Sequence, residues 1–221
     1  MTIDWLWGGR PAPKRGPKPT MTLEGIADAA MKVADAEGLA AVSMQRVAAE
    51  LGFTKMSLYR YLPGKAELVA VMVERAIGEP PTMSENDWRP ALEQWTRQLL
   101  ARFLEHPWAV EATAGRRPLG PYEMGWMEQA LARLEGLPLQ GAERLDTIAV
   151  LAGHGRMLAQ QAAAMVDEAG MVDAMGEVIR VHGHRFPHLI AAMGEGGADQ
   201  AFEFGLARIL DGVEVLIRQR S

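Results

Sequence analysis

The stretch Ser43–Lys65, SMQRVAAELGFTKMSLYRYLPGK, decides how this chain folds. Its first part carries apolar residues at helical spacing: Met44, Val47, Ala48 and Leu51. One face of a short helix is therefore apolar. Ser43 stands before this helix as a natural N-cap. Gly52 follows it, where helices often end in a left-handed conformation that glycine adopts most easily.

A second short helix follows the glycine. Thr54 can cap it, and it should run from Lys55 to about Leu62, with Leu58 and either Tyr61 or Leu62 turned inward. The dipeptide Pro63-Gly64 then ends it. Two short helices around a tight turn form a helix-turn-helix, whose second helix enters the major groove of DNA.

The same stretch resembles the DNA-binding region of the TetR (tetracycline-repressor-like) transcriptional regulators. The elements that carry the resemblance are Ala48-Ala49-Glu50-Leu51-Gly52, Thr54 to Ser57, Leu58-Tyr59, Arg60-Tyr61-Leu62 and Lys65-Ala66-Glu67-Leu68. Leu62 stands where the family usually has an aromatic residue. The close resemblance covers about residues 20–77. Beyond it, the likeness consists of a helical pattern and of His106-Pro107 after the first long helix.

The resemblance implies which side chains contact DNA. The first turn of the second helix should face base edges, and it comprises Thr54, Lys55, Met56 and Ser57. Lysine can donate to guanine acceptors, serine and threonine can bond either kind of base edge, and methionine can touch a thymine methyl. Tyr59 and Lys65 match family positions that usually hold phosphates. Ser43 and Gln45 are candidates for the same role, and Arg60 is a candidate for an additional contact.

The net charge of −5 is unusual for a DNA-binding protein, but it is unevenly distributed. Residues 1–78 hold ten Lys/Arg and eight Asp/Glu, a net of +2, so the remaining 13 basic and 20 acidic residues carry −7. Residues 10–19, RPAPKRGPKP, hold four basic residues and four prolines, which favour an extended arm. Either this arm is a solvated tail, or it contacts phosphates or the minor groove. Nothing in the sequence explains Trp5 and Trp7.

The rest of the chain also has a helical pattern, and no strand-like alternation stands out, so we predict an all-α fold. Glu79-Pro80-Pro81 divides it into a basic arm at 1–19, a helix-turn-helix domain at 20–78 and an effector-binding and dimerisation domain at 79–221. Further helices are expected at about 22–37, from 65 onward, and at 87–105, 121–135, 140–168 and 199–220, with a broken helical segment at 171–193. The two long helices at 140–168 and 199–220 should form a homodimer as a four-helix interface, which the resemblance also implies.

Large apolar side chains of the C-terminal domain are candidates for a ligand cavity, although such residues at helical spacing more often form ordinary core. We predict that the ligand-binding residues are Trp95, Phe103, Trp108, Trp126, Met127 and His154. Arg116, Arg117 and Gln161 are additional polar candidates. Methionine adapts to irregular cavities, and ligand pockets are mostly apolar with a few orienting polar groups.

Several classes of function find no support in the sequence. The absence of cysteine excludes disulfides and thiolate metal sites. Histidines 182, 184 and 188 are not spaced to face one another on a helix, so we expect no metal and no cofactor. No catalytic constellation is present, so we do not expect an enzyme. No long apolar run suggests a membrane span, and the early Asp4 argues against a secretory signal, so we expect a cytoplasmic protein.

We therefore predict a homodimeric repressor that binds double-stranded operator DNA and is released by a small apolar or amphipathic ligand. One alternative is a DNA-binding regulator without a small-molecule effector, controlled by a protein partner or by abundance, which would have a filled C-terminal core. Another is an all-α enzyme or carrier with a vestigial helix-turn-helix, which would show no salt-sensitive DNA binding.

Overall fold

The computed structural model describes residues 6–8, 21–84, 86–164, 168–197 and 200–220. Within these residues the chain forms α-helices and short 3-10 turns without a β-strand, which confirms the all-α prediction. The predicted arm at 10–19, together with Trp5, lies outside the described residues. No helix in the described ranges is long and apolar enough to cross a membrane.

Four helices form the N-terminal part, in the order that the sequence predicts. They are α1 (Leu23–Glu37), α2 (Met44–Glu50), α3 (Lys55–Tyr59) and α4 (Lys65–Ile77). Thr22 caps α1, since its hydroxyl accepts a hydrogen bond from the backbone N–H of Gly25 at 3.0 Å. Gly38 ends α1 with a φ of 83°, a conformation that favours glycine.

Seven further helices make up the described C-terminal part. They are α5 (Trp88–Glu105), α6 (Trp108–Ala114), α7 (Pro121–Leu134), α8 (Gly141–Ala164), α9 (Glu168–His182), α10 (Pro187–Glu195) and α11 (Ala201–Arg218). Helix α5 packs along α8, and α8 packs against α11. Helix α4 contacts α1 on one side and α5, α6 and α7 on the other.

The structure corrects two predicted boundaries. Helix α3 ends at Tyr59 rather than near Leu62, and the chain continues in a tighter turn in which the N–H of Tyr61 bonds to the carbonyl of Leu58, three residues back. The described part of α8 ends at Ala164, and Glu168, which we expected at the end of that helix, is the first residue of α9. The predicted break in the following segment is present as a 3-10 turn ahead of α10.

One hydrophobic core joins the two parts of the chain. Buried side chains form a continuous cluster from Ile26 of α1, through Met72 of α4, to Trp95 of α5 and Leu210 of α11. Four short helices bury too little surface to be stable alone, so a shared core was expected for the helix-turn-helix domain. Helix α4 is therefore a structural member of both parts.

Candidate nucleic-acid interface and internal cavity

Helices α2 and α3 meet at a tight turn with the local geometry that the sequence predicts. The Ser43 hydroxyl accepts a hydrogen bond from the N–H of Arg46 at 3.1 Å and so caps α2. Gly52 has a φ of 72°, in the left-handed region. The N–H of Phe53 then bonds back to the carbonyl of Ala48 at 2.9 Å and closes the turn.

Helix α3 is anchored on one side and exposed on the other. Leu58 is fully buried in the core. Met56, by contrast, leaves 73% of its surface exposed, and Tyr59 leaves 39%. Thr54 and Lys55 are exposed as well. A methionine that is exposed to this extent on a five-residue helix suits a surface that a partner covers.

Some basic side chains near α3 are paired with carboxylates of the protein, and others are not. Arg46 pairs with Glu37 at 2.9 Å and with Glu50 at 3.2 Å, and Lys32 also reaches Glu50. The hydrogen bond to Glu37 is the main reason why the pKa of Arg46 is raised. Within the described ranges, Lys55 and Lys65 form no ion pair. Lys55 instead lies 5.5 Å from the centroid of the Tyr59 ring. Two lysines thus remain available to an external anion.

The remaining predicted DNA-contacting residues lie on the same two helices or next to them. The Thr54 and Ser57 hydroxyls are 3.0 Å apart, so one donates a hydrogen bond to the other, and both can still bond a third group. Gln45 is exposed on the first turn of α2. Arg60 is exposed directly after α3.

The C-terminal part contains a partly open cavity of about 250 Å³. Five helices, α4 to α8, form its wall. The lining residues are Ile77, Trp95, Leu99, Phe103, Thr113, Glu123, Trp126, Met127, Leu145, Ile148, Ala149, Ala152 and Arg156. The cavity is smaller than the usual 300–1,000 Å³ of ligand pockets, so it fits a small guest or expands around a larger one.

The structure brings four of the six predicted ligand-binding residues to this cavity: Trp95, Phe103, Trp126 and Met127. Trp108 and His154 are not among the lining residues. The Trp108 indole donates to the Asp35 carboxylate of α1 at 2.6 Å. His154 is within 3.0 Å of the Phe202 carbonyl and stacks on the Phe202 ring. Both residues therefore fasten helices together.

The additional polar candidates also have other surroundings. The Arg117 guanidinium is engaged with the Glu123 carboxylate in a two-pronged ion pair, at 2.6 and 2.7 Å. Arg116 lies at a separate groove between α4 and α6, and Gln161 is exposed on the last turns of α8. None of these three lines the cavity.

Three polar residues of the cavity wall were missed by the sequence analysis: Thr113, Glu123 and Arg156. They come from α6, α7 and α8, and no local pattern brings three separate helices together. A signal did exist for Arg156. It lies four residues after Ala152 and eight after Ile148, on the apolar side of α8.

A carboxylate on α4 holds the start of α7. Glu74 is only 6% exposed, and its two oxygens accept from the N–H groups of Tyr122 at 2.7 Å and Glu123 at 3.0 Å. It thus caps a helix that is distant in sequence. Burial raises the pKa of Glu74, although the two N–H donors oppose this effect. Gly120 makes the contact possible, because a Cβ there would lie 2.1 Å from the Glu74 carboxyl carbon.

Two sequence profiles of known families match the chain. The profile described as bacterial regulatory proteins, tetR family, matches residues 26–72. The profile described as tetracyclin repressor-like, C-terminal domain, matches residues 80–217. Together they cover the described helices from α1 to α11.

Individual proteins match along most of their length. The HTH-type transcriptional repressor DrrR1 of Streptomyces coeruleorubidus is 41% identical over 99% of this chain and 87% of its own. An HTH-type transcriptional regulator of Saccharopolyspora erythraea is 28% identical over 88% of this chain and 84% of its own. The crystal structure of ActR of Streptomyces coelicolor in complex with actinorhodin superposes with a TM-score of 0.77, at 26% identity over 91% of this chain and 98% of that one.

Proposed function

The chain belongs to the TetR family of bacterial transcriptional regulators, and we propose that it is a repressor that binds a palindromic operator as a homodimer. It leaves the operator when a small apolar or amphipathic molecule enters the cavity between α4 and α8. The observation that carries the proposal is the outward surface of α3. There, the side chains of Lys55 and Met56 are exposed, while Leu58 of the same helix is buried and anchors it to the core.

The side chains on this surface suit DNA. A five-residue helix is about 7.5 Å long at 1.5 Å per residue, so it fits within a major groove about 12 Å wide. Lys55, Met56 and the hydroxyls of Thr54 and Ser57 contact base edges. Tyr59 and Lys65 contact phosphates, as do Ser43 and Gln45 at the start of α2, with Arg60 as an additional contact. Base contacts select the sequence, whereas phosphate contacts position the protein and make its affinity depend on salt.

Dimerisation places two copies of α3 on one face of the DNA. Helix α8 leaves Val150 and Met157 about half exposed, and α11 leaves Phe204 67% and Val215 51% exposed. These pairs are seven and eleven residues apart, so on each helix they lie on one face. The two outer faces together form the partner surface, and the two copies of α3 reach half-sites roughly 34–36 Å apart.

The structure gives a physical basis for refining the dimer contact. Ile209 and Val213, which belong to the apolar stripe predicted from the sequence, are partly buried against the core of their own subunit. Leu206 and Leu210 are fully buried there. The residues that a partner covers are therefore Phe204 and Val215, on another side of the same helix. Gly212 has open space around it and allows a close approach between subunits.

Control by a ligand is supported by the contacts between the cavity and α4. Ile77 at the end of α4 lines the cavity directly. The Trp126 indole, also in the wall, donates to the Gly78 carbonyl just after α4 at 3.1 Å. A ligand that moves either side chain moves α4, whose first residue is Lys65. Such a ligand shifts the equilibrium only by its differential affinity for the two states, typically about 1–3 kcal/mol.

The cavity also favours this proposal over regulation without an effector. A regulator controlled by a protein partner has no need for an internal space, and we expected its C-terminal core to be filled. The C-terminal part instead holds a space of about 250 Å³ with a mostly apolar lining, which a small effector can occupy.

The test begins with selection of bound sequences from random double-stranded DNA. The expected result is a palindrome with two half-sites about one helical turn apart and salt-dependent binding of one dimer. Candidate ligands are then titrated into the protein with and without this operator. By thermodynamic reciprocity, a true effector binds less tightly in the presence of operator, by the same factor by which it weakens operator binding. The absence of any selected sequence would refute the proposal.

A further inference from the structure

Arg156, in the cavity wall, has no ion-pair partner among the residues that the structure describes. Arg156 of α8 lines the cavity, and its Nε is buried without a hydrogen-bond partner. Among the described residues, no carboxylate forms an ion pair with its guanidinium. Since arginine stays protonated in proteins, a full positive charge faces this space.

The other polar groups of the wall are already satisfied. The Glu123 carboxylate is held by both terminal nitrogens of Arg117, whose side chain is only 2% exposed. The Thr113 hydroxyl donates to the Val110 carbonyl at 3.0 Å. An acidic residue is therefore present in the wall, but its charge is balanced by another arginine.

The aromatic part of the wall offers ring surfaces and no free donor. The Trp95 indole N–H bonds to the Trp126 carbonyl at 2.9 Å, and the Trp126 indole N–H bonds to the Gly78 carbonyl. The two indole rings meet edge to face, with centroids 6.0 Å apart and planes inclined at 64°. Phe103 adds a third ring. Such a wall suits a flat aromatic guest, which gains contact area and favourable ring geometry.

We propose that Arg156 makes the cavity selective for small aromatic acids, in which a carboxylate or an ionised phenol is attached to a flat ring system. This inference rests on the effector site of the proposed function and specifies the chemistry of its ligand. The guanidinium fork matches the two oxygens of a carboxylate, and a buried donor left unpaired is unfavourable. A guest with such an oxygen can pair with the Arg156 guanidinium, whereas a cationic guest is repelled.

The volume of the cavity limits the size of the aromatic acid that it can hold. At about 30 Å³ per molecule in the liquid, 250 Å³ corresponds to roughly eight water molecules. A guest with two fused rings and one carboxylate is of this order, and a larger ring system requires the wall to expand. Met127 is the wall residue best able to yield, because its side chain is unbranched.

The experiment compares 2-naphthoate with 2-naphthamide, which share ring and shape but differ in charge. Isothermal calorimetry on the full chain should show that the wild type binds naphthoate at least about tenfold more tightly, or about 1.4 kcal/mol. Arg156→Met, which keeps an unbranched apolar stem, should bind the two probes equally. Arg156→Lys keeps the charge without the fork and should retain part of the preference.

The matched control is Arg133→Met. Arg133 also has a buried Nε without a partner, but it lies outside the cavity lining and donates to the Met83 carbonyl. Its variant should keep the wild-type preference. If Arg156→Met does not fold, Arg156→Gln provides the same neutral comparison.

The proposal is overturned if the wild type binds neither probe, if it binds both equally, or if Arg156→Met keeps the preference. These results leave operator binding untouched, so the proposed function survives them without a ligand preference set by Arg156. A wild type that prefers naphthoate but binds no DNA sequence would instead refute the proposed function and leave the selectivity of Arg156 in place.

Discussion

Replacing Lys65 by alanine should weaken binding to every operator sequence by the same factor and reduce the dependence of affinity on salt. Lys65 is exposed at the first position of α4 and has no ion pair among the described residues. Each phosphate that a protein neutralises contributes about 0.9 to the slope of log affinity against log salt. A dimer carries Lys65 twice, so the variant should lose about 1.8 from this slope.

This change is large enough to measure. Between 50 and 200 mM salt the concentration rises fourfold, and a slope difference of about 1.8 corresponds to roughly a twelvefold change in relative affinity. The advantage of the wild type over Lys65→Ala should therefore shrink by about twelvefold across this range. Fluorescence anisotropy with the selected operator and one unrelated duplex, at four salt concentrations, gives both slopes.

Two further variants make the experiment decisive. Lys32→Ala also removes one positive charge, but Lys32 of α1 is already paired with Glu50 of α2 at 3.3 Å. The salt dependence of operator binding by this variant should therefore stay close to that of the wild type. Lys55→Ala should cost about 1–3 kcal/mol on the operator and relax the preference for one base in each half-site. If Lys65→Ala changed the preferred sequence and left the salt slope unaltered, the division into base-reading and phosphate-binding residues would be wrong.

Three predictions concern the scaffold. Phe204→Glu should convert the dimer into monomers that no longer bind the operator, as measured by light scattering and fluorescence anisotropy. The control, Leu104→Glu on an exposed part of α5, should remain a dimer. A dimeric Phe204→Glu protein would place the interface elsewhere. Gly120→Ala should lower the free energy of unfolding by about 1–3 kcal/mol in urea denaturation, because the new methyl group overlaps the Glu74 carboxylate. Gly141→Ala, at a helix start with open space, should be nearly neutral, and equal effects would contradict this packing argument. Because burial raises the pKa of Glu74, the folded state holds this proton more tightly than the unfolded chain does. The ordinary pKa of glutamate is about 4.3. As pH rises from this value through the raised pKa of Glu74, the wild type should therefore lose stability relative to Glu74→Gln. A difference in the free energy of unfolding that does not change with pH, measured by urea denaturation, would contradict this prediction.

The helix-turn-helix could be predicted because its determinants are local. Ser43 caps the helix that begins one residue later, and Gly52 takes the left-handed conformation at the turn itself. Two details of α3 differed from the prediction: its length, and its start, where Thr54 occupies the N-cap position without a capping hydrogen bond from its side chain. The apolar residue Leu62 continues the helical spacing, but it is buried through a tight turn that follows Tyr59. Periodicity alone does not distinguish these two ways of burying the same side chain.

The cavity was predictable only in part, because its wall is assembled from distant segments. Large apolar residues of α5 and α7 were named as candidates for a ligand cavity because of their size and helical spacing, and four of them line one cavity. The same reasoning included Trp108 and His154, which have the same chemistry but fasten helices elsewhere. Arg156, by contrast, lines the cavity but was not predicted from the sequence. A single arginine in a helical pattern suggests a solvated side chain, although its place on the apolar side of α8 was a signal. Its importance depends on a buried Nε without a partner and on the lack of an ion pair with any described carboxylate, which only the packed structure reveals.

The placement of α4 explains how a local event in the cavity can reach the DNA. Its 13 residues run from Lys65 at the DNA-binding surface to Ile77 at the cavity, so these residues are about 18 Å apart along the helix. A hydrogen-bonded helix over this distance moves as one body, and a displacement at Ile77 therefore appears at Lys65. Glu74 adds a second attachment, because it binds the first turn of α7, the helix that brings Trp126 to the cavity. A ligand that shifts either wall helix must move α4 or break a buried contact of Glu74. Moving α4 together with α7 preserves those two hydrogen bonds, so the proposed control by a ligand favours a coupled movement of these two helices.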